Sequence, residues 1–278
     1  MYFGDSLVDV GNNNYLTLSI AKANHRHYGI DFLDHKPTGR FSNGKNAADF
    51  IGEKLGLATS PPYLFLTSKA NKNEKNVSFI NGVSFASAGA GIFDGTDERY
   101  KQSLPLTKQV DYYSTVVYGE LTQEIGASAL QKHLSKSIFA VVIGSNDLFG
   151  YFESSELQVD YWSVQYNKGL QSMLKEWQSK NEGIIYSYFD TYSAMSILIQ
   201  SPASYGFTEV KGACCGLGEL NARAPCLPMS NLCPNGQDHV FWDQFHPTEA
   251  ASRIFVDKIF YGSSTYTSPI NMRQLVAA

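Results

Sequence analysis

The sequence predicts an α/β fold: one domain, residues 1–278, built on a mainly parallel sheet with helices on both faces. Three observations predict it. Two continuous apolar runs, 138–143 and 184–189, have the length and composition of strands buried on both faces. An amphipathic stretch at 163–180 lies between them and other helical periods flank them, so strands and helices alternate. Short polar motifs follow strand-like residues at 4–6 and 144–147, and open α/β sheets place their sites at the carboxyl ends of strands.

Met1, Tyr2 and Phe3 form the stub of a first strand that feeds Gly4, and a polar loop follows at 9–14. Asn43 is placed to cap a helix reaching about Leu57, with Ala47, Ala48, Ile51 and Leu55 on one face and Gly56 at its end. Residues 77–86 are β-branched and aromatic, then break into Ser87-Ala88-Gly89-Ala90-Gly91. Between 104 and 125, Val110, Tyr113, Val117 and Leu121 recur at helical spacing. The helix at 163–180 turns Val164, Leu170, Met173, Leu174 and Trp177 inward, with Gly183 as its stop. Asp190 caps the next helix, which runs through Ile199, and 202–239 is a loop rich in Gly, Pro and Cys. The final helix opens on Pro247 and buries Ala250, Ala251, Ile254, Phe255 and Ile259.

A net charge of −4, with lysines and arginines scattered along the chain, excludes a phosphate-tracking nucleic-acid surface. No apolar run approaches the length of a transmembrane segment. No basic and apolar leader precedes the first motif, so no signal peptide is expected in this sequence. The four cysteines, Cys214, Cys215, Cys226 and Cys233, form an even, local set that suits disulfides in an oxidising compartment. Adjacent Cys214 and Cys215 are poorly placed to bridge each other, which leaves pairings with Cys226 and Cys233. A zinc site with His239 is the rival reading, though no C-x-x-C spacing supports it. Asn76-Val77-Ser78 is a single glycosylation acceptor and points the same way as the cysteines.

Acyl transfer from an ester needs a hydroxyl nucleophile, an imidazole, a carboxylate to orient it, and donors aimed at the oxyanion. Ser6 ends the first strand, and Asn146 offers a neutral amide donor after the 138–143 run. Asp243 and His246 are three residues apart, a spacing that lets the carboxylate reach the imidazole Nδ1–H. Gly89, with no Cβ, lets a backbone N–H approach a substrate oxygen closely. Each motif alone is also a common turn or helix entry; their fixed order is the stronger signal. His25, His27, His35, His133 and His239 lack a comparable partner and are expected at the surface.

Phe3-Gly4-Asp5-Ser6-Leu7-Val8-Asp9-Val10-Gly11-Asn12-Asn13-Asn14 resembles the opening block of the plant GDSL esterase/lipases, a branch of the SGNH hydrolases. The similarity continues through residues 37–44, 85–91, 143–147 and 241–249 and covers nearly the whole chain. The resemblance implies a flavodoxin-like α/β/α sandwich and a serine esterase or lipase with no metal or cofactor. It makes Ser6 the nucleophile, His246 the base and Asp243 its orienting carboxylate. The oxyanion hole would be the Ser6 N–H, the Gly89 N–H and the Asn146 amide. The substrate would be a lipid or small acyl or acetyl ester, met by 149–152 and 202–239, and the location extracellular. Acyl transfer to a second alcohol uses the same triad. The sequence carries no sign of an oligomeric state.

Two departures from the family accompany the resemblance. Only three residues precede Gly4 in the first strand, and the helix after Asp147 runs at Gln158–Val159 directly into the next family helix. At least a helix-plus-strand unit, about 30 residues on the usual size of such units, is expected to be missing there. The sheet is therefore expected to lack one strand, and a catalytically silent truncated or splice variant is the alternative to an active enzyme.

Overall fold

The computed structural model describes residues 1–69, 77–96, 98–151 and 156–278, with side chains of 151 and 156–158 left aside. Asn76 of the glycosylation acceptor and Phe152 of the expected substrate lining lie outside the described residues. Strand β1 (Tyr2–Gly4) pairs in parallel with β2 (Ala140–Val142), Tyr2 opposite Ala140 and Gly4 opposite Val142. On its other edge the Tyr2 N–H donates to the Val83 carbonyl (3.0 Å), the Phe85 N–H to Tyr2 (2.8 Å) and the Ser87 N–H to Gly4 (3.0 Å). The short first strand is thus the middle of three parallel segments. Within the β-branched and aromatic run 77–86, Ser84 forms a parallel bridge to Tyr2.

Alternate residues of β1 enter opposite cores, as the two-residue period of a strand requires. Tyr2 packs with Val8, Ala48, Phe50, Ile51, Val256 and Phe260. That face is covered by α1 (Ala47–Lys54) and α6 (Glu249–Tyr261). Phe3 packs with Phe79, Phe85, Val116, Val117 and Leu121 on the other face. There the cover is α2 (Leu106–Thr115), which passes through a π-helical turn, Val116–Leu121, into Thr122–Ile125. Helices on both faces of a parallel core make the α/β/α layering that the sequence predicts.

Several local expectations are corrected. Asn46, not Asn43, caps α1, in a capping box with Asp49, because the Asn43 carboxamide is used elsewhere. It accepts from the Glu249 N–H (2.8 Å) and donates to Asp31 (2.7 Å), tying residue 43 to the first turn of α6. In α2 the inward position is Gln109, fully buried, while Val110 is exposed. The last helix begins at Glu249 with Thr248 as its cap, and Pro247 precedes that cap. Its expected inner face holds, with Ala251 and Phe255 buried. Helix α5 (Thr191–Gln200) carries the expected Asp190 cap, which accepts from the Ser193 N–H. The expected loop at 202–239 contains β4 (Glu209–Ala213), parallel to β7 (His239–Phe241), and a small hairpin of β5 (Cys215–Gly216) with β6 (Asn231–Leu232). Cys214 bonds Cys233 and Cys215 bonds Cys226, so the zinc reading falls.

The sheet is open where a strand was expected to be missing. Among the described residues β2 pairs only with β1, and β3 (Ser187–Phe189) pairs only with the antiparallel β8 (Thr267–Pro269). The 138–143 run is therefore not buried on both faces: Val141 is 59% exposed and Phe139 is exposed beside it. Across the gap Ile185 is exposed as well. Helix α4 (Glu156–Lys180) starts earlier than expected, and Met173 and Trp177, expected inside, lie outside. A strand edge without a neighbour leaves the helix above it nothing to pack on.

Candidate active site

The three motifs meet at the carboxyl ends of β1 and β2. Gly4 ends β1 with φ +150°, and a Cβ there would sit 2.1 Å from the Val142 carbonyl oxygen, so only glycine fits. Gln109 clamps this turn from α2: its Oε1 accepts from the Gly4 N–H (2.8 Å) while its Nε2 donates to the Gly4 carbonyl (2.8 Å) and to Leu104 (2.7 Å). The Asp5 N–H donates to Val142 (3.0 Å), which fixes the residue before Ser6 against β2. Ser6 itself is half-buried. The buried Asp5 carboxyl interacts electrostatically with both His246 and Asp147, which brings the first motif within range of the other two. Burial pushes that carboxyl up to about 7, since one oxygen accepts from Leu7 (3.0 Å) and the other has no partner among the described residues.

The polar run 9–14 organises the small-residue block. Asp9 accepts from Gly11 and Asn12 (2.7 Å each) and from the Ala88 N–H (3.1 Å). Asn12 donates to Ser84 and Ala86 (2.8 Å each), and Asn13 donates to Ala88 (3.0 Å). Within the block the Ala88 N–H is taken by Asp9 and the Ala90 N–H by the Ser87 carbonyl (3.1 Å). The Gly89 N–H has no acceptor among the described residues. Gly89 has φ +87°, and a Cβ there would press to 2.6 Å from the Tyr100 ring. Asn146, in the first turn of α3 (Ser145–Tyr151), is buried and donates one amide hydrogen to the Ala90 carbonyl (3.0 Å), which turns the amide toward this block. Asp147 accepts from the Ile92 N–H and the Thr96 hydroxyl, anchoring the loop beyond it.

Asp243 and His246 form a buried pair: Nδ1 of the ring lies 2.7 and 2.8 Å from the two carboxylate oxygens. Asp243 Oδ1 also accepts from the Phe245 (2.9 Å) and His246 (3.0 Å) backbone N–H groups, and Oδ2 accepts from the Tyr28 hydroxyl (2.9 Å). Burial alone would raise the Asp243 pKa. The His246 charge and hydrogen bond, with the Phe245 and Tyr28 donors, more than offset it and hold the carboxyl below its usual range. An ionised carboxylate on Nδ1 requires a proton there, which leaves Nε2 of the neutral ring as an acceptor. The segment is braced from behind by the disulfide hairpin: the Cys215 N–H donates to the Trp242 carbonyl (2.7 Å), and buried Trp242 packs with Cys214, Cys215, Tyr28 and Phe41. Phe245 and Phe149 face each other at 5.7 Å beside His246. Among the other histidines, two expectations are corrected: His27 is buried, and His239 pairs with Asp238 at 2.6 Å.

Gln109 and Tyr28 escaped the sequence reading because neither belongs to a catalytic residue type at a telling spacing. The signal for Gln109 was a polar residue on the inward period of an otherwise apolar helix face.

These features are those of a hydrolase that works on esters through a serine. The profile of the GDSL-like lipase/acylhydrolase family matches residues 1–164 and again 158–259. A GDSL esterase/lipase of Arabidopsis thaliana is 42% identical over 335 aligned positions, which cover 99% of this chain and 89% of that protein. A second from the same plant is 30% identical over 98% of this chain and 87% of its own length, and a third 30% identical over 96% and 89%. The chain belongs to the GDSL-like lipase/acylhydrolase family and is a hydrolase acting on ester bonds. The 335 aligned positions exceed the 278 residues of the chain, so the first relative carries at least 57 positions inside the aligned stretch that this chain lacks. The two profile matches meet at 158–164, the start of α4, where the sheet is open.

Proposed function

We propose that residues 1–278 form one hydrolase domain that cleaves carboxylic esters through an acyl-enzyme on Ser6. The Asp243–His246 pair carries this reading, because it presents a ring nitrogen free to accept the Ser6 proton. Ser6 attacks the ester carbonyl, and the C–O bond to the leaving alcohol breaks as His246 returns its proton to that oxygen. Water then attacks the acyl-Ser6 ester, again deprotonated by His246, and the acid leaves with Ser6 restored. The Ser6 and Gly89 N–H groups and the Asn146 amide stabilise the oxyanion in both halves. The free Gly89 N–H and the inward turn of Asn146 support that assignment. The aromatic pair Phe149–Phe245 beside His246 suits a lipid or other apolar ester. The disulfides suit an oxidising, extracellular setting. Among the described residues no helix is long and apolar enough to cross a membrane.

Ser6→Ala should abolish hydrolysis of a short-chain chromogenic ester by purified, cooperatively folded protein. Unchanged hydrolysis would overturn the assignment. The open edge of β2 favours one second reading, a silent member of the family that keeps the residues and has lost turnover. In that case Ser6 would resist an organophosphonate that labels active serine hydrolases.

A further inference from the structure

We propose that Tyr28 is a positioning residue for the reaction, its hydroxyl holding the Asp243 carboxylate that orients His246. The inference rests on the reading of Asp243 and His246 as the working pair. Tyr28 lies 215 residues away in sequence, yet its buried hydroxyl donates to Asp243 Oδ2 at 2.9 Å. The imidazole meets both oxygens; besides it, Oδ1 has two backbone donors, whereas among the described residues Oδ2 has only Tyr28. The terminal torsion of an aspartate is broad, so its plane is set by what bonds the oxygens. Without the phenol, one edge of the carboxylate would be steered only by the ring it is meant to steer.

Tyr28 is itself held on every side. Its ring meets Phe41 edge-on at 5.7 Å, Trp242 at 6.2 Å and His25 at 5.1 Å. Phe41 packs in turn on the His246 ring at 4.9 Å. The Gly29 N–H donates to the Ser42 carbonyl (3.0 Å), which locks the Tyr28 segment to the one bearing Phe41. One aromatic cluster therefore sets the carboxylate and the imidazole together. The titratable groups that face the pair are Tyr28, Tyr100 and Asp5, with His25 on the far side of the Tyr28 ring. Burial and the Asp243 charge keep the phenol protonated, so it remains a donor across the working pH range.

Tyr28→Phe tests this, since it removes only the hydroxyl and keeps the ring. The expected result is a kcat lower by about ten-fold with KM nearly unchanged, the size of one hydrogen bond to a charged group. The acid limb of the kcat/KM profile, which reports the pair as a unit, should move to higher pH, because the carboxylate loses a donor that stabilises its charge. The thermal midpoint should change little. The downfield Nδ1 proton of His246 needs no turnover to observe, and it should shift or broaden in the same variant. Unaltered kcat, pH profile and proton resonance in Tyr28→Phe, with Ser6→Ala inactive, would overturn this inference alone. A fully active Ser6→Ala would overturn it together with the triad reading.

Discussion

At the site end of the sheet, Asp9, Asn12 and Asn13 are buried and bond the backbone of 11–12, 21, 64 and 84–88. At the other end, Val141, Ile185, Met173 and Trp177 put apolar surface into water. The same chain is thus richly bonded around the residues proposed for the site and under-packed beside the open edges of β2 and β3. The contrast teaches that the bonds around the residues proposed for acyl transfer form although β2 has an open edge. Ser6 is held through Gly4, Gln109 and the Val142 carbonyl, and His246 through Asp243 and the disulfide hairpin. Ser6 and Asn146 stand on both regions, because Val142 of the exposed β2 holds the residue before Ser6 and α3 follows that strand.

The comparison breaks first at Asn12. Asn12→Leu would leave the Ala86 carbonyl and the Leu64 N–H without the Asn12 amide, while the Ser84 carbonyl keeps the Tyr63 N–H. With two unmet groups at about 1–3 kcal/mol each, it should cost about 2–6 kcal/mol in a denaturant melt. Next comes the hairpin behind Trp242. Replacing Cys215 and Cys226 together with Ser should cost about 2–4 kcal/mol. It should also lower ester turnover, since the hairpin braces the segment that carries Asp243.

A gentler test uses pH. The Asp5 carboxyl, raised by burial to about 7, binds a proton in the folded protein that the unfolded chain has released. Its stabilisation is full below the unfolded pKa of about 4 and is lost as pH rises through about 7. The thermal midpoint should therefore fall between pH 5 and 8, and Asp5→Asn should flatten that slope. The smallest effect belongs to the seam. Val141→Lys with Trp177→Lys should leave stability within about 0.5 kcal/mol. It should also reduce binding of a hydrophobic dye, because these side chains already face solvent.

Much of this was legible in the sequence, and the physical reasons for the rest are specific. Strand ends, the Asp190 cap and the pairing of four cysteines followed from local chemistry, which short spacings encode. The Asn43 cap misled because its carboxamide serves a partner 206 residues away, which no local pattern records. Val110 and Gln109 were exchanged because apolar periodicity assumes that the inward face is apolar, whereas the Gly4 backbone demanded an amide. Burial of 138–143 was overestimated because an apolar run tells what a strand prefers, not whether its neighbour is present. Motif order suffices to propose the site residues; the partners that hold them, Tyr28 above all, could not be read there.

The central claim is that the acyl-transfer site assembles although the sheet is open beside it. Its most direct test is labelling of the folded chain with a fluorophosphonate, read by mass spectrometry and paired with a thermal melt. A cooperative melt with label on Ser6, lost in His246→Ala, is the result expected. A cooperative melt with Ser6 unlabelled would contradict the claim.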